Sequence, residues 1–140
     1  MPFERIVVAI DGSDASDHAF DKALELASLT AGRLIALAVE GPLPAYAATM
    51  AEVDEVKHEK DVFFRALAVR ASERAEQAGV ELEIELRAGH AAELIIRFAE
   101  ERQADLIVLG HRGHFLRDHL LGSTADRVAE NAGCPVMIVR

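Results

Sequence analysis

Residues 5–39, RIVVAIDGSDASDHAFDKALELASLTAGRLIALAV, determine the type of fold. Two short runs, residues 6–10 and 34–39, are apolar at every position. Because such a run has no polar face, each predicts a strand that is buried on both faces of a sheet. Between them, residues 14–31 have apolar side chains at helical spacing, and Gly32 supplies a stop. A strand, a helix and a second strand in this order predict two parallel strands joined by a crossover.

The same alternation continues to the end of the 140-residue chain. Its remaining predicted elements are a helix at residues 50–78, a strand at 80–86, a helix at 91–102, a strand at 106–109, a helix at 123–132 and a strand at 136–139. This order predicts one domain, residues 1–140, with a five-stranded parallel sheet and helices on both faces. Because residues 80–86, VELEIEL, alternate as an edge strand does, we predict the flavodoxin-like strand order 3-2-1-4-5.

The long fourth element carries an apolar stripe that predicts a core-facing side, with Phe63, Phe64 and Leu67 among its members. The acidic residues of this helix are expected to form its solvated side. We therefore predict that the helix covers one face of the sheet.

Charge and cysteine content limit the partners of the chain. With 15 Lys and Arg against 24 Asp and Glu, the formal net charge is −9. Nucleic acid and anionic membranes need a basic surface, so neither is expected as the main partner. The single cysteine, Cys134, suits a reducing compartment, and no apolar run approaches the roughly 20 residues of a membrane span. We expect a cytoplasmic protein.

The strand order also predicts where a ligand binds. In such sheets, ligands bind at the carboxyl ends of the strands where the winding reverses, here between the first and fourth strands. Residues 11–13 follow the first strand, and residues 110–124, GHRGHFLRDHLLGST, follow the fourth. Asp11 is expected to face a ligand there, although it also suits capping of its own turn. Ser13 and Ser16 are expected to be helix-start residues rather than nucleophiles.

Residues 110–124 suit a phosphate site built from backbone. Gly110 and Gly113 can expose successive N–H groups, and the helix that opens at residues 122–124 presents its own. Such a helix start favours phosphate. Ser123 and Asp126 have the spacing of a capping box. Neither a Walker motif nor a GxGxxG motif is present.

The histidines of this segment suggest a second hypothesis, a metal site. His111, His114 and His119 are potential ligands, with Asp118 among them. Paired ligands on a rigid element are missing, so we expect no dedicated transition-metal site and interpret these as solvated loop histidines.

Three segments together resemble the universal stress protein family, in its nucleotide-binding branch. They are IVVAIDGSDASDHAFDKALELA from Ile6, RAGHAAELIIRFAEERQADLIVLG up to Gly110, and GHRGHFLRDHLLGSTADRVAENAGCPVMIVR to the end of the chain. The resemblance covers nearly all of the 140 residues. The ATP signature of that family is Gly, two residues, Gly, nine residues, Gly, then Ser or Thr. Here eight residues separate Gly113 from Gly122.

The resemblance implies an adenine nucleotide alpha hydrolase-like fold and a regulatory role in the stress response. It implies binding of ATP or a related adenine nucleotide, often with a divalent cation such as Mg²⁺. It also implies homodimers joined through the last strand, from Val136 to Arg140. The residues it assigns to the nucleotide are Ala9, Ile10, Asp11, Val39, Leu109, Gly110, Arg112, Gly113, Gly122, Ser123 and Thr124.

Each of these residues has an expected part in the site. Ala9, Ile10 and the backbone of Val39 are expected near the adenine, and Leu109 along the pocket. Asp11 is expected at the ribose or at a metal–phosphate group, and the remaining residues around the phosphates.

Two other function classes stay open from the sequence. One is a slow ATPase or phosphotransferase, although no lysine lies in residues 110–124 and no general base is evident beyond Asp11 or the histidines. The other is a dimeric interaction protein that has lost nucleotide binding through the shortened loop. We therefore assign no catalytic residue.

Overall fold

The computed structural model describes residues 3–40, 49–111 and 122–140, in which helices and strands alternate. The elements are β1 (Arg5–Ile10), α1 (Asp14–Thr30), β2 (Arg33–Glu40), α2 (Met50–Ala78), β3 (Leu82–Ala88), α3 (Ala91–Glu101), β4 (Leu106–Gly110), α4 (Ser123–Asn131) and β5 (Val136–Val139). They confirm the predicted order. Among these residues, no helix has both the length and the hydropathy needed to span a membrane.

The five strands form one parallel sheet in the order β3-β2-β1-β4-β5, as predicted. β1 lies at the centre, where Ile6 pairs with Leu34 of β2 on one side and with Leu106 of β4 on the other. The winding therefore reverses between β1 and β4, and the carboxyl ends of these two strands lie side by side.

The sheet separates two hydrophobic cores. Alternate residues of β1 point to opposite faces, so Ile10 packs with α1 and α2, whereas Val7 packs with α3 and α4. Phe20 and Phe98 are the largest fully buried side chains, and each anchors one of the two cores. This two-sided packing explains why the central strands are apolar at every position.

β3 is an edge strand with one charged face, as its alternating sequence predicts. Glu83 and Glu85 of β3 form ion pairs with Arg102, which follows α3. Arg87 donates a hydrogen bond of 2.8 Å to Glu101. This hydrogen bond is the main cause that lowers the pKa of the Glu101 carboxyl below its usual value. The charged side chains on this side of the edge strand are partly exposed and form ion pairs with one another.

The apolar stripe of α2 is buried over only part of its length. Val56, Leu67, Ala71 and Ala75 are buried, but Phe63 is 44% exposed, so the prediction that Phe63 belongs to the core is wrong. A 29-residue helix is about 44 Å long, whereas the strands it covers are much shorter. Part of the stripe therefore extends beyond the sheet.

Candidate functional site

A hydrogen-bonded turn fixes Asp11 directly after β1. The Asp11 Oδ1 atom accepts a hydrogen bond from the Ser13 backbone N–H (2.8 Å), and the Asp11 N–H donates to Ser16 Oγ (3.2 Å). Ser13 is the N-cap of α1, and its hydroxyl oxygen accepts from the Ser16 N–H at 3.2 Å. Both serines are buried helix-start residues, as expected. The turn holds the Asp11 carboxylate in one orientation at the carboxyl edge of the sheet.

The end of β4 lies directly against the start of α1. A Cβ added at Gly110 would lie 2.6 Å from the Ala15 carbonyl carbon and 2.8 Å from its Cβ. Only glycine allows this approach, because real side chains do not tolerate such contacts. The close packing brings Gly110 next to the turn that carries Asp11, so the two segments meet at the carboxyl edge of the sheet.

The backbone of His111 joins β4, β5 and the start of α4. Its N–H donates to the Val139 carbonyl oxygen (2.9 Å), and its carbonyl oxygen accepts from the Gly122 N–H (2.7 Å). The His111 Nδ1 atom also lies 3.3 Å from the Val139 oxygen. These contacts fix the amino end of α4 beside the end of β4.

The expected capping box at the start of α4 is not formed. Gly122 is the N-cap, so Ser123 is the first helical residue rather than the cap. A glycine cap has no side chain, and within the described residues no side chain caps this helix. The first-turn N–H groups of α4 therefore lack the partner that a capping side chain would provide. Ser123 is exposed and Thr124 is half-buried at this helix end.

Strand alternation divides the residues expected near the adenine. Ala9, Val39 and Leu109 pack on the face that α3 and α4 cover. Ile10 packs on the opposite face, against the core formed with α1 and α2. The side chain of Ile10 is therefore separated from the other three by the sheet, and only its backbone lies at their edge.

Arg112 and Gly113 lie outside the described residues, as do His114, Asp118 and His119. Their predicted contacts with phosphate or metal therefore stay predictions. Within residues 3–40, 49–111 and 122–140, no group of three His, Cys, Asp or Glu side chains is arranged to hold a metal ion.

Phe63 of α2 lies at the site although the sequence pattern did not identify it. Gly12 has a φ of +85°, and a Cβ added there would be 2.5 Å from the Phe63 Cζ atom. The Phe63 ring also contacts Phe64 edge to face, with 5.2 Å between the ring centroids. An exposed aromatic ring therefore covers the turn next to Asp11. The glycine after β1 was the only local signal of a close approach at this turn.

A lysine also lies at the carboxyl edge of the sheet. The Lys60 Nζ atom is 3.8 Å from Glu40, the last residue of β2, and both side chains are about one-fifth exposed. The sequence pattern did not identify this lysine as a residue of the site. The pair lies on the face of the sheet that α2 covers, opposite to the face on which the Val39 side chain packs.

The chain is similar to known proteins over its whole length. The model of the universal stress protein family matches residues 2–140. Universal stress protein YxiE of Bacillus subtilis is 33% identical over 147 residues, which cover 99% of each chain. Universal stress protein MJ0531 of Methanocaldococcus jannaschii is 34% identical over 144 residues, covering 99% of this chain and 82% of that protein.

Solved structures show the same fold. Universal stress protein UspA from Lactobacillus plantarum superimposes with a TM-score of 0.86 at 27% identity, covering 100% of this chain and 99% of the other. A universal stress protein in complex with cAMP has a TM-score of 0.76 at 28% identity, with coverage of 100% and 99%. The protein from Archaeoglobus fulgidus in complex with dAMP has a TM-score of 0.66 at 25% identity and covers 100% of both chains.

Proposed function

The chain belongs to the universal stress protein family, and from this we propose that it binds an adenine nucleotide, with ATP as the expected one, in the cleft at the carboxyl ends of β1, β2 and β4. Its role would be that of a stress-response binding and regulatory protein. The observation that carries the proposal is the amino end of α4, which no described side chain caps and which lies beside the end of β4, close to the Asp11 turn. Relatives whose structures contain cAMP and dAMP support the choice of nucleotide.

The phosphates would be bound by backbone groups. The first-turn N–H groups of α4 and the positive end of the helix dipole attract an anion, and the hydroxyls of Ser123 and Thr124 add donors. Because the whole chain carries a net charge of −9, this local geometry has to act against the overall field. Gly110, Arg112 and Gly113 complete the proposed phosphate set.

The adenine and ribose would lie toward the Asp11 side. Ala9, Val39 and Leu109 offer an apolar surface on the face of α3 and α4, with the Val39 backbone toward the base. Ile10 would contribute backbone only, since its side chain points to the other face. The turn bonds hold the Asp11 carboxylate ready for the ribose hydroxyls or for a cation.

A divalent cation such as Mg²⁺ fits this chemistry. Magnesium prefers oxygen ligands and is usually held by one or two carboxylates together with substrate phosphates. Asp11 is the carboxylate at the turn and would provide that ligand, and the cation would neutralise part of the phosphate charge.

We further propose a homodimer through β5. The carbonyl oxygens of Pro135 and Val139 accept hydrogen bonds from the N–H groups of Ile107 in β4 and of His111 directly after it. Because backbone groups alternate in direction along a strand, those of Val136 and Ile138 point away from β4. An unpaired strand edge with partly exposed apolar side chains is stabilised by pairing with a second copy. A cytoplasmic location stays a prediction from the sequence.

A charge placed at the amino end of α4 tests the phosphate site. Ser123→Glu puts a carboxylate at an exposed first-turn position, where it favours the helix but repels phosphate. We expect unchanged or slightly higher thermal stability and at least a tenfold loss of ATP affinity by isothermal titration calorimetry. Ser72→Glu, at an exposed position of α2, is the matched control and should bind like the parent chain. Equal ATP affinity in the two variants would contradict the proposed site.

A further inference from the structure

A second cavity lies on the opposite face of the sheet from the proposed nucleotide site. It has a volume of about 490 Å³ and lies between α2 and the carboxyl halves of β1, β2 and β3. Ile10 and Ala38 form its floor, whereas Ala9 and Val39, the neighbouring residues in each strand, point to the other face. The sheet therefore separates this cavity from the side chains of Ala9, Val39 and Leu109, which are proposed to lie at the adenine.

Seven of the nine described residues that line the cavity are apolar, and the cavity is open to solvent. Ile84 and Leu86 of β3 line one side, and Phe64 and Ala68 of α2 line the other. Leu86 is 44% exposed although it lies on the side of the sheet that α2 covers. Large apolar side chains are normally covered on such a face, so a ligand that covered Leu86 would gain hydrophobic free energy. The volume is within the range of small-molecule sites.

Arg65, whose side chain is exposed, is the cation among the described residues that line the cavity. Arg65 makes no ion pair or hydrogen bond to any residue that the structure describes. By contrast, Arg74 and Arg87 are both paired with carboxylates. Asp61, one helical turn before Arg65, also lines the cavity. Its negative charge disfavours polyanions such as nucleotides but leaves Arg65 able to bind a single carboxylate.

We propose that this cavity binds a small amphipathic carboxylate. Its hydrocarbon chain would lie against Ile10, Ala38 and Leu86, and its carboxylate would pair with the Arg65 guanidinium at the mouth. Guanidinium groups match carboxylates in geometry as well as in charge. The site is independent of the proposed nucleotide site and would remain if that proposal failed.

Decanoate is a suitable probe, measured by calorimetry and by its displacement of the fluorescent anion 1-anilinonaphthalene-8-sulfonate. Arg65→Gln should weaken decanoate binding about three- to fivefold, the size expected for one solvent-exposed ion pair. Arg70→Gln removes an exposed arginine of the same helix that does not line the cavity, and it should leave binding unchanged. Decanol, which has no charge, should bind equally to the parent chain and to Arg65→Gln.

Filling the cavity gives a second, independent test. Ala68→Trp should abolish decanoate binding while far-ultraviolet circular dichroism still reports a folded protein. Saturating ATP should leave decanoate affinity unchanged, because the sheet separates the two sites. Displacement of decanoate by ATP would overturn the proposal. Undiminished decanoate binding by Arg65→Gln, or by a folded Ala68→Trp, would also overturn it. If Ala68→Trp does not fold, the comparison of Arg65→Gln with Arg70→Gln decides.

Discussion

Gly110→Ala should destabilise the protein strongly, through a steric clash rather than through backbone strain. The new Cβ would lie 2.6 Å from the Ala15 carbonyl carbon, and 2.8 Å from both its oxygen and its Cβ. Two of these atoms are backbone, so no side-chain rotation relieves the contact and the end of β4 has to move away from α1. Overpacking of this kind costs about 1–3 kcal/mol, and we expect the upper end because backbone must shift.

Urea denaturation followed by circular dichroism measures this loss of free energy of unfolding. Gly133→Ala is the matched control, since its Cβ would have no atom within 4 Å and its φ lies outside the left-handed region. That control should be neutral or more stable by a few tenths of a kcal/mol, because alanine reduces the entropy of the unfolded chain. Adding Ala15→Gly to Gly110→Ala removes one of the three contacts and should recover less than half of the loss.

A free energy of unfolding for Gly110→Ala within about 0.5 kcal/mol of that of Gly133→Ala would refute the reasoning, because surface-like substitutions fall in that range. It would mean that β4 and α1 are not in the close contact that the fold requires.

Three further predictions concern the site and its surroundings. Gly12→Ala should destabilise the chain, since the φ of Gly12 is +85° and the new Cβ would meet Phe63. In a double-mutant cycle measured by urea denaturation, adding Phe63→Ala should recover the part of the loss that comes from the steric clash, and zero coupling energy between the two substitutions would contradict the contact. Ile138→Pro removes an outward N–H of β5 and should shift sedimentation equilibrium from dimer to monomer, whereas an unchanged dimer would exclude pairing through β5. Burial, and to a lesser extent the charge of Asp105, raises the pKa of the Cys134 thiol. Its reaction with iodoacetamide should therefore need a higher pH in the native protein than in urea, and identical pH–rate profiles in the two states would contradict this. Since the native state then keeps a proton that the unfolded state loses, the free energy of unfolding should fall as pH rises above the ordinary thiol value.

The sheet was predictable because strands that are buried on both faces are apolar at every position. Residues 6–10 and 34–39 are apolar throughout, and the alternation of residues 80–86 identified the edge strand and, with it, the strand order. The serines of the first turn were also predictable, since helix capping is a local interaction.

The parts of the site that escaped prediction depend on contacts between elements. Phe63 follows the apolar period of α2, but only the length and position of that helix relative to the sheet show that it covers Gly12. Gly110 was predicted at the phosphates, but the structure shows that it must also be glycine to pack against Ala15. Glycine spacing in the sequence does not indicate this contact between β4 and α1. At Ser123, capping-box spacing indicated the wrong N-cap, because Gly122 takes that position.

The most direct test of the central claim is a calorimetric titration of the purified chain with ATP, with and without Mg²⁺. We expect saturable binding of one nucleotide per chain, tighter with Mg²⁺ because Asp11 and the phosphates would both hold the cation. Because the titration uses the native sequence, it also tests whether a segment with eight residues between Gly113 and Gly122 allows ATP to bind. Absence of saturable binding at millimolar ATP, with and without Mg²⁺, would contradict the account and favour a protein that acts through its surface alone.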